Sequence, residues 1–312
     1  MSGSLSNYSD PYSCFMINEG ECPICSCRTL RLYREDQGHT LTSISLGPSR
    51  GEISSGRILR CGSCRFGFSQ VRPNEKQLGQ MYEHMEIGLY EAESIGRSIS
   101  ALRQLKIVER YAPPPGRLLD IGCASGLFLR RAIDAGWEGE GIEPCEPLVR
   151  RARQVLGSEA QIHFATLQTA PVAMAAFDVV TLWDVLEHVP DPIGFLTLAG
   201  SFLKPGGLLF ANVPNLDSIQ ARLLGSKWPL ILPEHLNYFN LNSLKMCGTR
   251  SGLHWIDSCR RFATFSLVYL FYRLRQHGVP GSSLAYQLVD NIGFRNLTIS
   301  VPLGEICGVW KR

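Results

Sequence analysis

The stretch that decides the fold runs Arg117-Leu-Leu-Asp-Ile-Gly-Cys-Ala-Ser-Gly126. An apolar strand ends at an acid, Asp120, passes through a Gly-x-x-x-Gly turn and leads into the apolar start of a helix at Leu127. Gly122 and Gly126 permit a tight turn and a close approach of backbone to ligand. A dinucleotide fingerprint would read Gly-x-Gly-x-x-Gly, with amides and a helix N-terminus facing a pyrophosphate. That spacing is absent, and the carboxylate of Asp120 suits a cationic or hydroxyl-rich ligand better than a phosphate. A second acid, Glu143 in Gly141-Ile-Glu-Pro144, closes the next strand, where it can accept bonds from both ribose hydroxyls.

Outward from this loop, strands are predicted at 117–121, 139–142, 162–165, 177–183 and 207–213, with helices at 127–135, 146–156 and 192–203 between them. The alternation is that of an α/β protein with a parallel sheet, helices on both faces and ligand sites beyond the carboxyl ends of the strands. A looser Trp- and Pro-containing stretch follows position 214, then a helix at 243–251 and a strand at 255–262. Residues 71–112 read as helical, with Leu102, Leu105, Ile107 and Val108 on an apolar face, until Pro113-Pro-Pro115 stops them. The organisation is therefore a flexible N-terminus (1–19), a metal-binding ribbon (20–70), a helical linker or lid (71–115) and a main domain (116–312).

The ribbon is read from cysteines. Of eleven, four form two knuckles, Cys22-Pro-Ile-Cys25 and Cys61-Gly-Ser-Cys64, separated by 35 residues. Each knuckle offers two thiolates to one tetrahedral ion, and a reducing compartment favours metal over disulfides. Structural Zn2+ suits four sulfur ligands, iron being the alternative, and Cys27 competes with Cys25 as a ligand. Four thiolates leave no open position for water, so this ion is not the catalyst.

Composition narrows the remaining classes. Hydrophobic residues at 45% against 19% charged describe a folded globular chain. A net charge of +3 with no run of Lys and Arg argues against nucleic acid, although eight basic against three acidic residues from position 250 onward permit an anionic substrate. The most apolar run, Thr264 to Phe271, lies between Arg261 and Arg273 and falls short of the roughly 20 residues a bilayer needs. The N-terminus lacks a basic start and an apolar core, so a cytoplasmic location is expected. The oligomeric state stays open.

With these motifs in order, the chain resembles the class I S-adenosylmethionine-dependent methyltransferases. Asp120-Ile-Gly-Cys-Ala-Ser-Gly126 is similar to their first motif and Gly141-Ile-Glu-Pro144 to their second. Phe177 to Pro192 and Leu203-Lys-Pro-Gly-Gly207 resemble the fourth-strand segment and the turn before the fifth strand. The resemblance implies a Rossmann-like, mostly parallel seven-stranded sheet and S-adenosyl-L-methionine as cofactor. Gly122 and Gly126 would line its methionine end, Glu143 would bind its ribose, Trp183 with Asp184 would lie where cofactor meets substrate, and Asp120, Cys123, Ala124, Pro144, Leu167 and Val185 would complete the cofactor-binding set. Where many members carry an acid for the adenine amino group, this chain has Phe164-Ala-Thr-Leu-Gln-Thr169, leaving that task to backbone around Leu167 or to Gln168. The ribbon resembles an N-terminal segment of many bacterial methyltransferases of small molecules, sugars and surface polysaccharides.

Methyl transfer to a hydroxyl needs in-line placement and a base, and His is the residue whose ordinary pKa fits. His235 lies in Pro233-Glu-His-Leu-Asn-Tyr-Phe239, which resembles a Glu-His-x-x-Tyr-Phe stretch near the substrate entrance of a branch of these enzymes. It ranks ahead of His188, just past the fourth strand, with Glu234 and Glu187 as orienting partners. Trp228, Tyr238 and Phe239 are expected either as an apolar substrate wall or as core, and Tyr82, His84 and Tyr90 as parts of a lid. The expected reaction transfers methyl to an oxygen, or less readily a carbon or nitrogen, of a small metabolite such as a sugar or natural-product intermediate. The competing reading is a catalytically silent ribbon protein that uses the cofactor fold as a binding platform.

Overall fold

The computed structural model describes residues 15–16, 20–35, 56–72, 93–232, 234–276, 281–291 and 297–312. Tyr82, His84 and Tyr90 lie outside these residues, as does most of the N-terminus. Near the N-terminus β1 (Phe15–Met16) pairs with β5 (Val71–Arg72), while β2 (Leu30–Arg34), β3 (Ile58–Cys61) and β4 (Gly67–Ser69) form an antiparallel ribbon. The helix α1 (Ser94–Tyr111) then precedes β6 (Arg117–Ile121), α2 (Leu127–Asp134), β7 (Glu138–Glu143), α3 (Glu146–Leu156), β8 (Gln161–Phe164), β9 (Phe177–Leu182), α4 (Pro192–Ser201) and β10 (Leu203–Pro214). After these come α5 (Ile219–Leu224), β11 (Asn237–Tyr238), α6 (Leu241–Arg250), β12 (His254–Ser266), α7 (Leu267–Gln276), α8 (Ser282–Asn291) and β13 (Thr298–Lys311).

Seven strands form the main sheet in the order β12-β13-β10-β9-β6-β7-β8, and β13 alone runs against the others. From β6 the chain steps outward to β7 and β8, then returns to β9 and β10 on the other side. The strand order therefore reverses between β6 and β9, the place where open α/β sheets bind ligands. Alternate side chains feed two cores. Leu119, Val180, Leu209 and Ala211 face one with α4 and α6, whereas Leu118, Val179 and Phe210 face the other with α1, α2 and α3. Each such buried Leu, Val or Phe contributes about 1.5–3 kcal/mol.

β13 is a strand that sequence reading passes over, because Pro302, Gly304 and Gly308 read as loop punctuation. Its pairing with β12 absorbs Pro302 and Gly304 in an irregularity between Arg261 and Ala263, while Gly308 pairs in register with Ser258. The run from Thr264 to Phe271 proves to be the end of β12 and the start of α7.

The ribbon does not stand apart from the main domain. β11, from the segment after β10, pairs antiparallel with β4 and completes a sheet ordered β11-β4-β3-β2. Asn240 Nδ2 donates to the Cys64 carbonyl at 3.0 Å, and Arg250 Nη1 to the Ile24 carbonyl at 2.7 Å. The rings of Phe66 and Phe239 meet edge to face at 4.9 Å.

Candidate active site

The turn after β6 folds as its glycines predict, with Gly122 and Gly126 at φ +75° and +77° and Ala124 also left-handed. The reason for each glycine is more specific than ligand approach. A Cβ on Gly122 would lie 2.6 Å from Val185, and one on Gly126 2.8 Å from Leu156 of α3. Gly122 lets the turn meet the loop after β9; Gly126 seats it on α3. Cys123 is buried, its Sγ packed where a Cβ of Gly141 would fall, so it offers the ligand side only backbone.

The two acids sit in a dry place that opposes their ionisation. Glu143 is buried, yet accepts from the amides of Ala124 at 2.9 Å and Cys145 at 2.8 Å. Burial pushes its carboxyl up to about 7 against those two donors. Asp120 is likewise pushed up to about 7 by burial, with Thr181 Oγ1 donating to it at 2.6 Å and Glu143 adding like charge. That hydroxyl bond spans β6 and β9, fixing Asp120 beneath the switch point. Of the other residues read from the resemblance, Leu167 is buried, Pro144 and Val185 are half-buried, and Gln168 is exposed.

The loop after β9 carries a polar network that sequence reading did not foresee. Asp184, at φ +57°, accepts from Asn212 Nδ2 at 2.7 Å while its own amide donates to Asn212 Oδ1 at 2.9 Å. Arg261 of β12 reaches both Asp184 at 2.8 Å and Glu305 of β13 at 2.7 Å. Although its side chain is 46% exposed, Asp184 is partly desolvated beside these partners, and Arg261 and Asn212 outweigh that to hold the carboxyl below its usual range. Trp183 is buried against Phe128 at 5.4 Å, and its indole Nε1 has no hydrogen-bond partner among the described residues. Asn212, Arg261 and Glu305 carry no local motif; only the pairing of β10, β12 and β13 assembles them.

The same loop meets the segment after β10. Asn237 is fully buried, and its Nδ2 donates to the carbonyls of Leu186 at 3.0 Å and Val189 at 2.7 Å. The amides of Leu236 and Asn237 both donate to the Glu187 carbonyl. This clamp sets the rings of His188 and His235 edge to face, 4.8 Å between centroids. Their orienting partners are backbone carbonyls rather than the expected carboxylates: Glu234 O faces His188 Nδ1 at 3.0 Å and Leu230 O faces His235 Nδ1 at 2.8 Å. Burial, with His188 beside it, pushes His235 down to about 3, so its imidazole is neutral. Glu187 joins the pair: one ligating atom of each of the three residues lies within 4.8 Å of the others.

Trp228, Tyr238 and Phe239 are no substrate wall. All three are fully buried, Trp228 donating its indole hydrogen to the Leu303 carbonyl at 2.7 Å. Trp228 and Tyr238 pack with Ile58 in a shared core between ribbon and domain.

Across the ribbon, Cys22 Sγ and Cys64 Sγ are 3.5 Å apart, as are Cys25 Sγ and Cys61 Sγ, and all four lie within 4.8 Å of one another. Sulfurs about 2.3 Å from one tetrahedral zinc would be about 3.8 Å apart, so the donor set fits the ion. Cys22 is pulled down to about 5, chiefly by the Cys64 thiol that donates to it. Cys27 falls outside this group, its Sγ accepting instead from the Thr29 amide at 3.4 Å.

Fold and site together define an α/β protein with two buried acids, Asp120 and Glu143, at a switch point that lacks the dinucleotide Gly-x-Gly-x-x-Gly spacing. Residues 95–258, just over half of the chain, match the methyltransferase domain family. The chain belongs to that family and is a class I S-adenosylmethionine-dependent methyltransferase. It is 32% identical over 160 residues to a ubiquinone biosynthesis O-methyltransferase of Xanthomonas campestris pv. campestris, a match covering 46% of this chain and 67% of that protein. Among solved structures it is similar to the 4+2 cyclase SpnF, with TM-score 0.53 and 19% identity over 77% of this chain and 97% of the other. It is also similar to the 1,6-didemethyltoxoflavin-N1-methyltransferase of Burkholderia thailandensis, solved with S-adenosylhomocysteine, with TM-score 0.50 and 14% identity over 80% and 97%. These likenesses show the fold. Among the described residues no helix is long and apolar enough to cross a membrane.

Proposed function

We propose that the protein transfers the methyl group of S-adenosylmethionine to a hydroxyl oxygen of a small metabolite, with the acceptor lying against Glu187, His188 and His235. The observation that carries this reading is the Asn237 clamp, which brings two imidazoles together beyond the carboxyl end of β9. Gly122, Ala124 and Gly126 cradle the methionine end, while Glu143 receives the ribose hydroxyls. Asp184, tethered by Asn212 and Arg261, faces the cofactor–acceptor boundary. The sulfonium supplies an activated methyl, so the protein's part is to align the acceptor, exclude water and remove one proton. In the simplest form His188 takes that proton while neutral His235 packs against its ring, the oxygen attacks the methyl carbon, and the carbon–sulfur bond breaks to release S-adenosylhomocysteine.

The name of the Xanthomonas relative supports oxygen as the acceptor atom. The cysteine cluster holds a structural Zn2+, which anchors β4 and through it β11 and the His235 segment. The test is a panel of phenols, catechols and sugars incubated with methyl-labelled S-adenosylmethionine. Label should enter a hydroxyl product, and His188→Ala and His235→Ala should each lower transfer about 100-fold while leaving S-adenosylhomocysteine affinity unchanged. Cofactor binding with no transfer to any acceptor would instead support a silent binding protein.

A further inference from the structure

Two cysteines outside the ribbon are set against each other by the pairing of β12 with β13. Cys259 stands opposite Cys307 in an uninterrupted stretch of that ladder, which runs from Asp257 against Val309 to Arg261 against Glu305. Residues directly opposed in antiparallel strands have Cα atoms about 4.5 or 5.5 Å apart, according to their hydrogen bonding, and a disulfide accepts about 4.4–6.8 Å. Opposed residues also point to one face, so the two thiols share a side of the sheet. Cys307 is fully buried there in the core that Phe210 and Val309 form with α1, and half-buried Cys259 packs at the margin of that core. The Cys307 thiol, and to a smaller degree the charge of Arg110, hold Cys259 below the usual thiol range against its burial. Cys307 is pushed well above that range by Cys259 and by burial. One sulfur is accessible and readily ionised, the other covered and protonated, which is the division between an attacking and a resolving cysteine.

We propose that Cys259 and Cys307 form a reversible disulfide in response to hydrogen peroxide, and that its closure disturbs the anchoring of the loop after β9. The Cys259 thiolate attacks one peroxide oxygen and becomes a sulfenic acid, while the departing hydroxide takes up the proton that Cys259 shed. The Cys307 sulfur then attacks the sulfenic sulfur, the sulfur–oxygen bond breaks, and water leaves with the Cys307 proton. Two thiols are oxidised by two electrons and one peroxide is reduced to two waters. A small thiol reverses the bond by exchange. The consequence for the site follows from register. Arg261 and Glu305 form the next pair on the same face, two residues along each strand, and Arg261 tethers Asp184. Opposed Cβ atoms lie about 4.5–5.5 Å apart and a disulfide needs about 3.5–4.5 Å, so closure draws the strands together by about 1 Å. Arg261 moves with its strand, and a misplacement of about 1 Å can lower a rate about 100-fold. The effect on methyl transfer rests on the proposed function; the disulfide itself does not.

The experiment treats full-length, zinc-loaded protein with hydrogen peroxide and maps its cysteines by mass spectrometry, beside Cys259→Ser. Two peptides joined through Cys259 and Cys307 are expected, absent from the variant and separated by dithiothreitol. Methyl transfer by the wild type should fall at least about 10-fold on oxidation and recover on reduction, while Cys259→Ser keeps its activity. Half-buried Cys259 tolerates serine better than fully buried Cys307, and the melting temperature reports whether the variant folds. Free Cys259 and Cys307 after treatment, or Cys259 carried on to sulfinic acid without the link, overturn the disulfide. A link with unchanged transfer overturns its coupling to Asp184, as does equal loss of activity in both proteins with release of zinc. A protein that forms the link but methylates no hydroxyl acceptor supports the disulfide and defeats the oxygen-transfer reading.

Discussion

His188 and His235, 47 positions apart in sequence, meet edge to face at 4.8 Å because one buried side chain, Asn237, ties their two loops together. Asn237→Ala removes both side-chain hydrogen bonds, to the carbonyls of Leu186 and Val189. Such losses cost about 1–3 kcal/mol. Denaturant unfolding should show that destabilisation, and methyl transfer should fall by a larger factor than cofactor affinity. Equal losses in both would mean that the clamp does not specifically serve the acceptor side.

A second prediction concerns pH. Burial raises Glu143 from 4.5 to about 7. Its protonated form is therefore favoured in the folded protein, and the stability this gives, complete below 4.5, is lost as pH rises through about 7. In the proposed cofactor site ribose hydroxyls donate to the ionised carboxylate, so S-adenosylhomocysteine affinity should rise over the same interval. Calorimetry near pH 6 in buffers of different ionisation enthalpy should detect proton release on binding. Proton uptake would contradict this assignment of Glu143.

Arg261 sits between Asp184 and Glu305 with its side chain 10% exposed. Glu305 is buried with it while Asp184 is exposed, and removing one partner of a buried ion pair costs about 3–5 kcal/mol because the other charge is left uncompensated. Arg261→Leu should show a loss of that size in chemical denaturation. The loss should shrink in acid, since burial already raises Glu305 to about 7 and protonation relieves the repulsion with Asp184. A loss independent of pH would point to packing alone.

Metal removal should act at a distance. The knuckles fix β4, and β4 pairs with β11 two residues beyond His235. Chelation of zinc, or Cys61→Ser, should lower the melting temperature and methyl transfer while cofactor affinity changes little. Zinc analysis alongside thermal melts checks this; a protein whose activity ignores the loss of zinc would break the proposed link.

The contrast between local and assembled features explains what could be read from sequence. Strand β6 and helix α3 follow directly from their apolar pattern and from Gly122, Gly126 and the proline at the start of α3. The cysteine knuckles announce themselves by spacing. Asn212, Arg261 and Glu305 do not, because each sits in a strand whose neighbours are set by long-range pairing. Trp228, Tyr238 and Phe239 look alike as sequence whether they line a pocket or fill a core. Only the docking of ribbon against domain decides the second. The role of Gly126 was half legible: its positive φ follows from the turn, but its contact with Leu156 depends on where α3 packs.

The most direct test of the account is calorimetric titration of the purified protein with S-adenosylhomocysteine, beside Glu143→Ala. Losing two hydroxyl bonds to a charged group corresponds to about 3 kcal/mol or more, so affinity should fall at least about 100-fold in the variant while the wild type binds saturably. No binding to the wild type, or equal binding by Glu143→Ala, would contradict the placement of the cofactor between the turn after β6 and the acid at the end of β7.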